Sequence, residues 1–116
     1  MQKMINTPQD KAKGRDLHNI LTAFREVDGE MPVQQMMCLV WIANNEGKTQ
    51  KDLRTSLNMF PSTSSRNLAA LSKVHRLGKA GHGLIDFVDD VEDRRQKQLW
   101  LTPKGRQFIG KVLGFL

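Results

Sequence analysis

The stretch from residue 84 to residue 105 constrains the fold more than any other part of this chain. Residues 84–88 and 98–101 are short and rich in apolar and aromatic side chains, and they bracket a dense run of charge. That pattern predicts two antiparallel strands with a polar tip. Thr102-Pro103 follows at once and marks a helix start, because a proline in the first helical turn gives up no hydrogen bond. The helix it opens is predicted over 104–113.

Ahead of the hairpin the apolar spacing is helical. Residues 1–15 are polar, contain Pro8 and show no sustained period, so they read as a flexible N-terminal arm to a single domain over 16–116. Asp16 suits the start of a helix over 16–27, with Leu17, Ile20, Leu21, Phe24 and Val27 on one face. Asp28-Gly29-Glu30 breaks it. A second helix, 33–45, follows Pro32 and carries Met36, Met37, Leu39, Val40, Ile42 and Ala43. Being apolar around most of its circumference, it is expected in the middle of the core, with Trp41. Gly47 suits a left-handed cap after it.

Thr49 is a good N-cap for a short helix over 50–57, with Leu53 and Leu57 inward. Residues 58–61 turn the chain, and Ser62 or Ser64 is expected to cap a fourth helix reaching about residue 74. Three glycines in 76–83 predict a loop. Helix, helix, short helix, helix, hairpin, helix is the order of a winged helix-turn-helix. The expected class is α+β, mainly α: a three-helix core, a two-stranded wing and a C-terminal helix.

The net charge of +6 is unevenly placed. Residues 1–47 hold five bases and six acids, and residues 48–85 hold seven bases against one acid. Residues 86–93 contain five acids and no base, and residues 94–116 six bases and no acid. Basic charge confined to the second half fits a face that binds a polyanion.

Other chemistries find little support. His18, His75 and His82 are scattered without metal-ligand spacing. Gly78, Gly81 and Gly83 do not form a phosphate loop after a strand. Ser62 to Ser65 lacks a His/Asp partner arrangement, and the acids of 89–93 lack the spacing of a calcium loop. No enzyme activity, cofactor or metal is therefore expected. The single Cys38 cannot pair within the chain, reads as a small buried hydrophobe, and agrees with a reducing compartment. The longest apolar run, 36–43, is too short to span a membrane, and residues 1–13 lack the apolar stretch of a secretory signal. A cytoplasmic protein is expected.

In a helix-turn-helix the second helix of the pair enters the major groove of DNA. On the fourth helix Ser62, Arg66, Ala69 and Lys73 lie opposite Ser64, Leu68 and Leu71, giving a basic face of short side chains. Arg66 can fork onto a guanine, while Ser62, Thr63 and Ser65 can bond bases or phosphates. Lys48, Lys51 and Arg54 are placed for further phosphate contacts. At the hairpin tip, Arg94 and Arg95 can reach a narrow minor groove, with Asp93 holding Arg95 or its backbone in place.

The run Asp89-Asp90-Val91-Glu92-Asp93-Arg94-Arg95-Gln96-Lys97-Gln98-Leu99-Trp100-Leu101-Thr102-Pro103-Lys104-Gly105-Arg106 resembles the wing signature of MarR/SlyA-type transcriptional regulators. That signature is an acidic turn, Asp-x-Arg, a strand, and Leu-Thr-x-x-Gly opening the next helix. The resemblance implies a sequence-specific regulator of double-stranded DNA, with recognition helix 62–74 and wing arginines Arg94 and Arg95. It also implies a homodimer through the terminal helices. Here these offer the first helix together with Phe108, Ile109, Val112, Leu113, Phe115 and Leu116, a group equally suited to docking within the chain. No effector ligand is legible. About eight residues, 75–82, are inserted before Gly83-Leu84, and Asp86 stands on the first strand where the family commonly has a base. The insertion and the acidic run 86–93, both able to block close approach to DNA, suit an alternative: a winged-helix module that binds a protein of the transcription or replication machinery.

Overall fold

Thr7 and Pro8 set the start of the first helix, α1 (Pro8–Val27). The Thr7 hydroxyl accepts the Asp10 N–H at 3.0 Å, and Pro8 fills the first helical position. A computed structural model describes residues 7–73 and 79–116 of the chain. α1 begins eight residues before the predicted start at Asp16, because its leading turns project from the body and carry no apolar stripe. Within α1 only Ala23 and Phe24 are buried.

α2 (Val33–Asn44) buries Gln35, Cys38, Leu39 and Ile42, while Val33, Met37 and Val40 stay exposed and Trp41 is half-buried. The expectation of a helix enclosed on all sides is corrected: α3, α4, α5 and the hairpin cover one side of it only. The uncovered side forms an open apolar groove with Leu21 and Phe24 of α1.

α3 (Gln50–Leu57) opens on a full capping box. The Thr49 hydroxyl accepts the Asp52 N–H, and the Asp52 carboxylate accepts the Thr49 N–H at 3.0 Å. Asn58, left-handed at φ 52°, ends α3 and starts the turn. α4 (Pro61–Leu71) has Phe60 as its N-cap and Pro61 at its first position. Neither Ser62 nor Ser64 caps it; Ser64 is buried and donates to the Pro61 carbonyl at 3.0 Å. Ser72 turns extended (ψ −178°), so α4 stops short of the predicted residue 74 and Lys73 lies beyond its end. Val74 and His75 fall outside the described residues, as do residues 76–78 of the insertion.

The chain then returns along the end of α4. The N–H groups of Gly81, His82, Gly83 and Leu84 donate to the carbonyls of Lys73, Ala70, Ser72 and Leu71, at 2.8–3.0 Å. A helix end that would otherwise leave carbonyls without partners is thus sealed by the segment leading into the wing.

The wing pairs β1 (Ile85–Asp89) with β2 (Lys97–Leu101), antiparallel, with Ile85 opposite Leu101 and Asp89 opposite Lys97. Residues 47–49 lie along the other edge of β2: Gly47 N–H donates to Leu99 O at 2.9 Å and Leu99 N–H to Lys48 O at 2.8 Å. α5 (Pro103–Leu113) is capped by the Thr102 hydroxyl, which accepts the Gly105 N–H and donates to the Gly83 carbonyl. Its side chains Phe108, Ile109 and Val112 pack on the core with Phe115, and Phe108 meets Phe24 edge to face at 5.0 Å. Leu113 and Leu116 remain exposed. Leu39, Ile42, Leu53, Leu68, Leu71, Leu84, Ile85 and Leu99 form the fully buried centre.

One polar clasp closes this arrangement. Glu46, 18% exposed, forks onto Arg106 of α5 (2.7 and 2.5 Å) and also accepts the Leu101 N–H of β2 at 3.3 Å. Glu46→Ala would leave that N–H and the guanidinium without partners. It is expected to lower unfolding free energy by about 1–3 kcal/mol, read by urea denaturation. An unchanged midpoint would remove the clasp from the account.

Candidate nucleic-acid interface

The paired helices α3 and α4 and the wing present the candidate residues on one side of their own elements. On α4 the burial pattern splits cleanly. Ser64, Asn67, Leu68, Ala70 and Leu71 face the core, while Ser62, Ser65 and Arg66 are exposed and Thr63 and Ala69 are half-buried. The exposed arc is therefore Ser62, Ser65 and Arg66, flanked by small side chains that let the backbone come near a groove floor. Thr63 sits at the margin of this arc. Lys73, exposed, belongs to the turn after the helix.

Lys48, just before the α3 N-cap, and Lys51, in its first turn, are exposed, and Arg54 is half-buried one turn on. The backbone pairing of residues 47–49 with β2 fixes Lys48 beside the wing strand. Asp52, the one acid of this neighbourhood, is held below the ordinary carboxylate range. The main cause is the hydrogen bond from the Thr49 backbone, assisted by the Thr49 hydroxyl and by Lys48 and Lys51. Its charge is spent on the capping box and does not tie down either lysine within ion-pair distance.

The wing is different. Arg95 is clasped by Asp93: the Arg95 backbone N–H donates to Oδ1 at 3.0 Å, Nε to the same oxygen at 3.1 Å, and Nη2 to Oδ2 at 3.4 Å. Asp93 is accordingly lowered in pKa, first by the Arg95 side chain and then by its backbone. This is the pairing the sequence suggested, and it orients a guanidinium that is otherwise open to solvent. Lys97 pairs with Asp89, and Gln98 donates to Asp90 at 3.1 Å. The acidic run thus neutralises a strand base and orients one arginine.

Arg94 is left without an acidic partner. Among the described residues, Lys48, Lys51, Arg54, Arg66, Lys73 and Arg94 take part in no ion pair, whereas Arg95, Lys97, Arg106 and Lys111 do. The unneutralised candidate bases therefore lie on the helix-turn-helix and at the wing tip. An acceptor carrying spaced negative charges and narrow grooves suits that arrangement.

Sequence reasoning missed several features. The Glu46–Arg106 clasp joins residues sixty positions apart and leaves no local signal. The sequence places Phe60 only within a turn and does not announce its exposed ring, although its place before Pro61 marks an extended residue. Cys38, in contrast, is buried as the sequence suggests, beside Met59, and burial pushes its thiol up to about 11. Among the described residues no group of three or more His, Cys, Asp or Glu is placed to hold a metal, and no helix is long and apolar enough to cross a membrane.

Comparison by sequence finds no matching protein-family model and no matching curated protein. Comparison of folds does. A crystal structure of MarR matches with a TM-score of 0.59 and 27% identity, over 94% of this chain and 75% of that one. A MepR variant from a multidrug-resistant S. aureus clinical isolate matches with a TM-score of 0.70 and 19% identity, over 98% and 76%. The transcriptional repressor CouR, solved bound to a 23-mer DNA duplex, matches with a TM-score of 0.64 and 24% identity, over 97% and 72%.

Proposed function

We propose that this chain, whose fold is similar to those of MarR, MepR and CouR, is a MarR/SlyA-type, sequence-specific regulator of transcription that binds double-stranded DNA. The observation that carries this reading is the set of free cations on the helix-turn-helix and wing tip, beside an exposed α4 arc of small polar residues and Arg66. CouR, which shares the fold, was solved on a DNA duplex. In this reading α4 lies in the major groove with Ser62, Ser65 and Arg66 toward the base edges and Thr63 at the rim. Lys48, Lys51, Arg54 and Lys73 meet phosphates, and Arg94 and the Asp93-oriented Arg95 reach the flanking minor groove. The protein works as a homodimer in the cytoplasm. Exposed Leu17 and Leu21 on α1 and Leu113 and Leu116 at the C-terminal end supply apolar surface for a second copy.

The test is selection of bound sequences from a randomised duplex pool, followed by titration of the winner at several salt concentrations. We expect a preferred site and a log-log salt slope that grows by about 0.9 for each phosphate contacted. Failure to retain any duplex at low salt would sink the reading, and retention without sequence preference would reduce it to DNA coating. The rival, a protein-binding winged helix, draws on Val91, which is 92% exposed among the acids of the tip. It prevails if a protein partner is captured equally by the wild type and by Arg66→Ala with Arg94→Ala, while no duplex is bound.

A further inference from the structure

One side chain at the tip of α4 is out of keeping with its setting. Phe60 is 79% exposed, although it directly precedes a helix whose inner face is buried. The backbone puts it there. Asn58 is left-handed, and Pro61 demands an extended residue before it, which Phe60 is at φ −67° and ψ 149°. Of the two apolar residues in the turn, Met59 is then half-buried, its sulfur 3.8 Å from Cys38, and Phe60 is turned out. Phe60 borders a shallow cleft with Thr63, at the margin of the proposed interface, and with Gln34 and Met37 of α2, and most of its ring is open to solvent.

Resting on the DNA-binding reading, we propose that Phe60 packs on the 5-methyl group of a thymine and makes the protein selective for that base. Residues at the N-terminal end of a recognition helix are the ones that reach base edges in the major groove. Along those edges, among the hydrogen-bond donors and acceptors, the thymine methyl is the one methyl group on display and the largest apolar one. A phenyl ring offers nothing to a phosphate or to a polar base edge. Against a methyl group it removes apolar surface from water on both partners, whereas a cytosine has only a hydrogen at C5 and an amino group where thymine has O4.

The experiment takes the best duplex from the selection above and replaces each thymine in turn by deoxyuridine, which deletes the methyl and keeps all hydrogen-bonding groups. The wild type should lose about fourfold in affinity at one or two positions and be indifferent elsewhere. Phe60→Ala should bind the unmodified duplex about tenfold more weakly and lose its sensitivity at those same positions, while Phe60→Leu keeps part of it. Since the ring is exposed, thermal unfolding of all three proteins should coincide. The proposal is overturned if the wild type prefers a sequence yet ignores every deoxyuridine, or if Phe60→Ala shows the same penalties as the wild type. A wild type that binds no duplex overturns it together with the DNA-binding reading, and the two failures are told apart by that first titration.

Discussion

Alanine at Gly105 is expected to lower the melting temperature by about 10–20 °C, the equivalent of about 2–4 kcal/mol in a domain of this size. Gly105 stands one turn into α5, and a Cβ placed there would lie 2.1 Å from the Leu84 carbonyl oxygen. That oxygen cannot step aside. It accepts the Thr102 N–H at 3.0 Å, and Leu84 itself is tied to the end of α4 through Leu71. Relief must come from α5 backing away, which loosens Phe108, Ile109 and Val112 from the core and pulls on the Thr102 bond to Gly83. The control lies in the same helix. A Cβ added at Gly110 would meet nothing within 4 Å, so Gly110→Ala should be neutral or stabilise by up to about 1 kcal/mol through helix propensity. Equal melting temperatures for the two variants would show that the contact at Gly105 is not tight.

The second large effect falls on recognition. Arg66→Ala should weaken binding to the preferred duplex by about 1–3 kcal/mol, roughly tenfold to a hundredfold, and relax selectivity at one base pair. Arg66 is exposed on α4 and takes part in no ion pair among the described residues, so its guanidinium is free to fork onto a base and its loss leaves the fold alone. A phosphate-contacting lysine behaves differently: Lys51→Ala should weaken all duplexes alike and reduce the salt slope by about 0.9. Competition titrations with the selected and a scrambled duplex separate the two. If Arg66→Ala weakened both by the same factor, Arg66 would be a phosphate contact rather than a reader of sequence.

How much of this was legible beforehand depended on whether the signal is local. The Thr49 cap, the Thr102-Pro103 start of α5, the hairpin over residues 85–101 and the Asp93–Arg95 pair all rest on residues close to one another along the chain. Local chemistry decides such features, and the sequence carries it openly. The family signature Leu-Thr-x-x-Gly has the same character: Leu101 is buried, Thr102 caps α5, and Gly105 allows the helix to touch Leu84.

What failed needed knowledge of neighbours. α2 is apolar around much of its circumference, but nothing in its own residues says that one side lacks a covering element. The first turns of α1 have no core to face, so periodicity is silent over residues 8–15. The end of α4 was placed too late because apolar residues and a lysine continue past Leu71 in a helix-compatible rhythm, whereas the returning segment takes over the carbonyls of residues 70–73. Of the proposed site, the sequence supplies the candidate bases, but which bases are neutralised depends on partners such as Asp89, across the strand pair from Lys97.

The seal at the end of α4 carries an evolutionary consequence. The chain leaves at Lys73 and is recaptured at Gly81, whose N–H meets the Lys73 carbonyl at 3.0 Å. Lys73 and Gly81 therefore stand side by side. Residues can be gained or lost between these two positions without shifting α4 against the wing. The thermodynamic penalty of doubling the span is only about 0.6 kcal/mol of loop-closure entropy. Here the fold offers a place where length, and with it new contacts beside the helix-turn-helix and wing, can be tried while the register of the rest is kept.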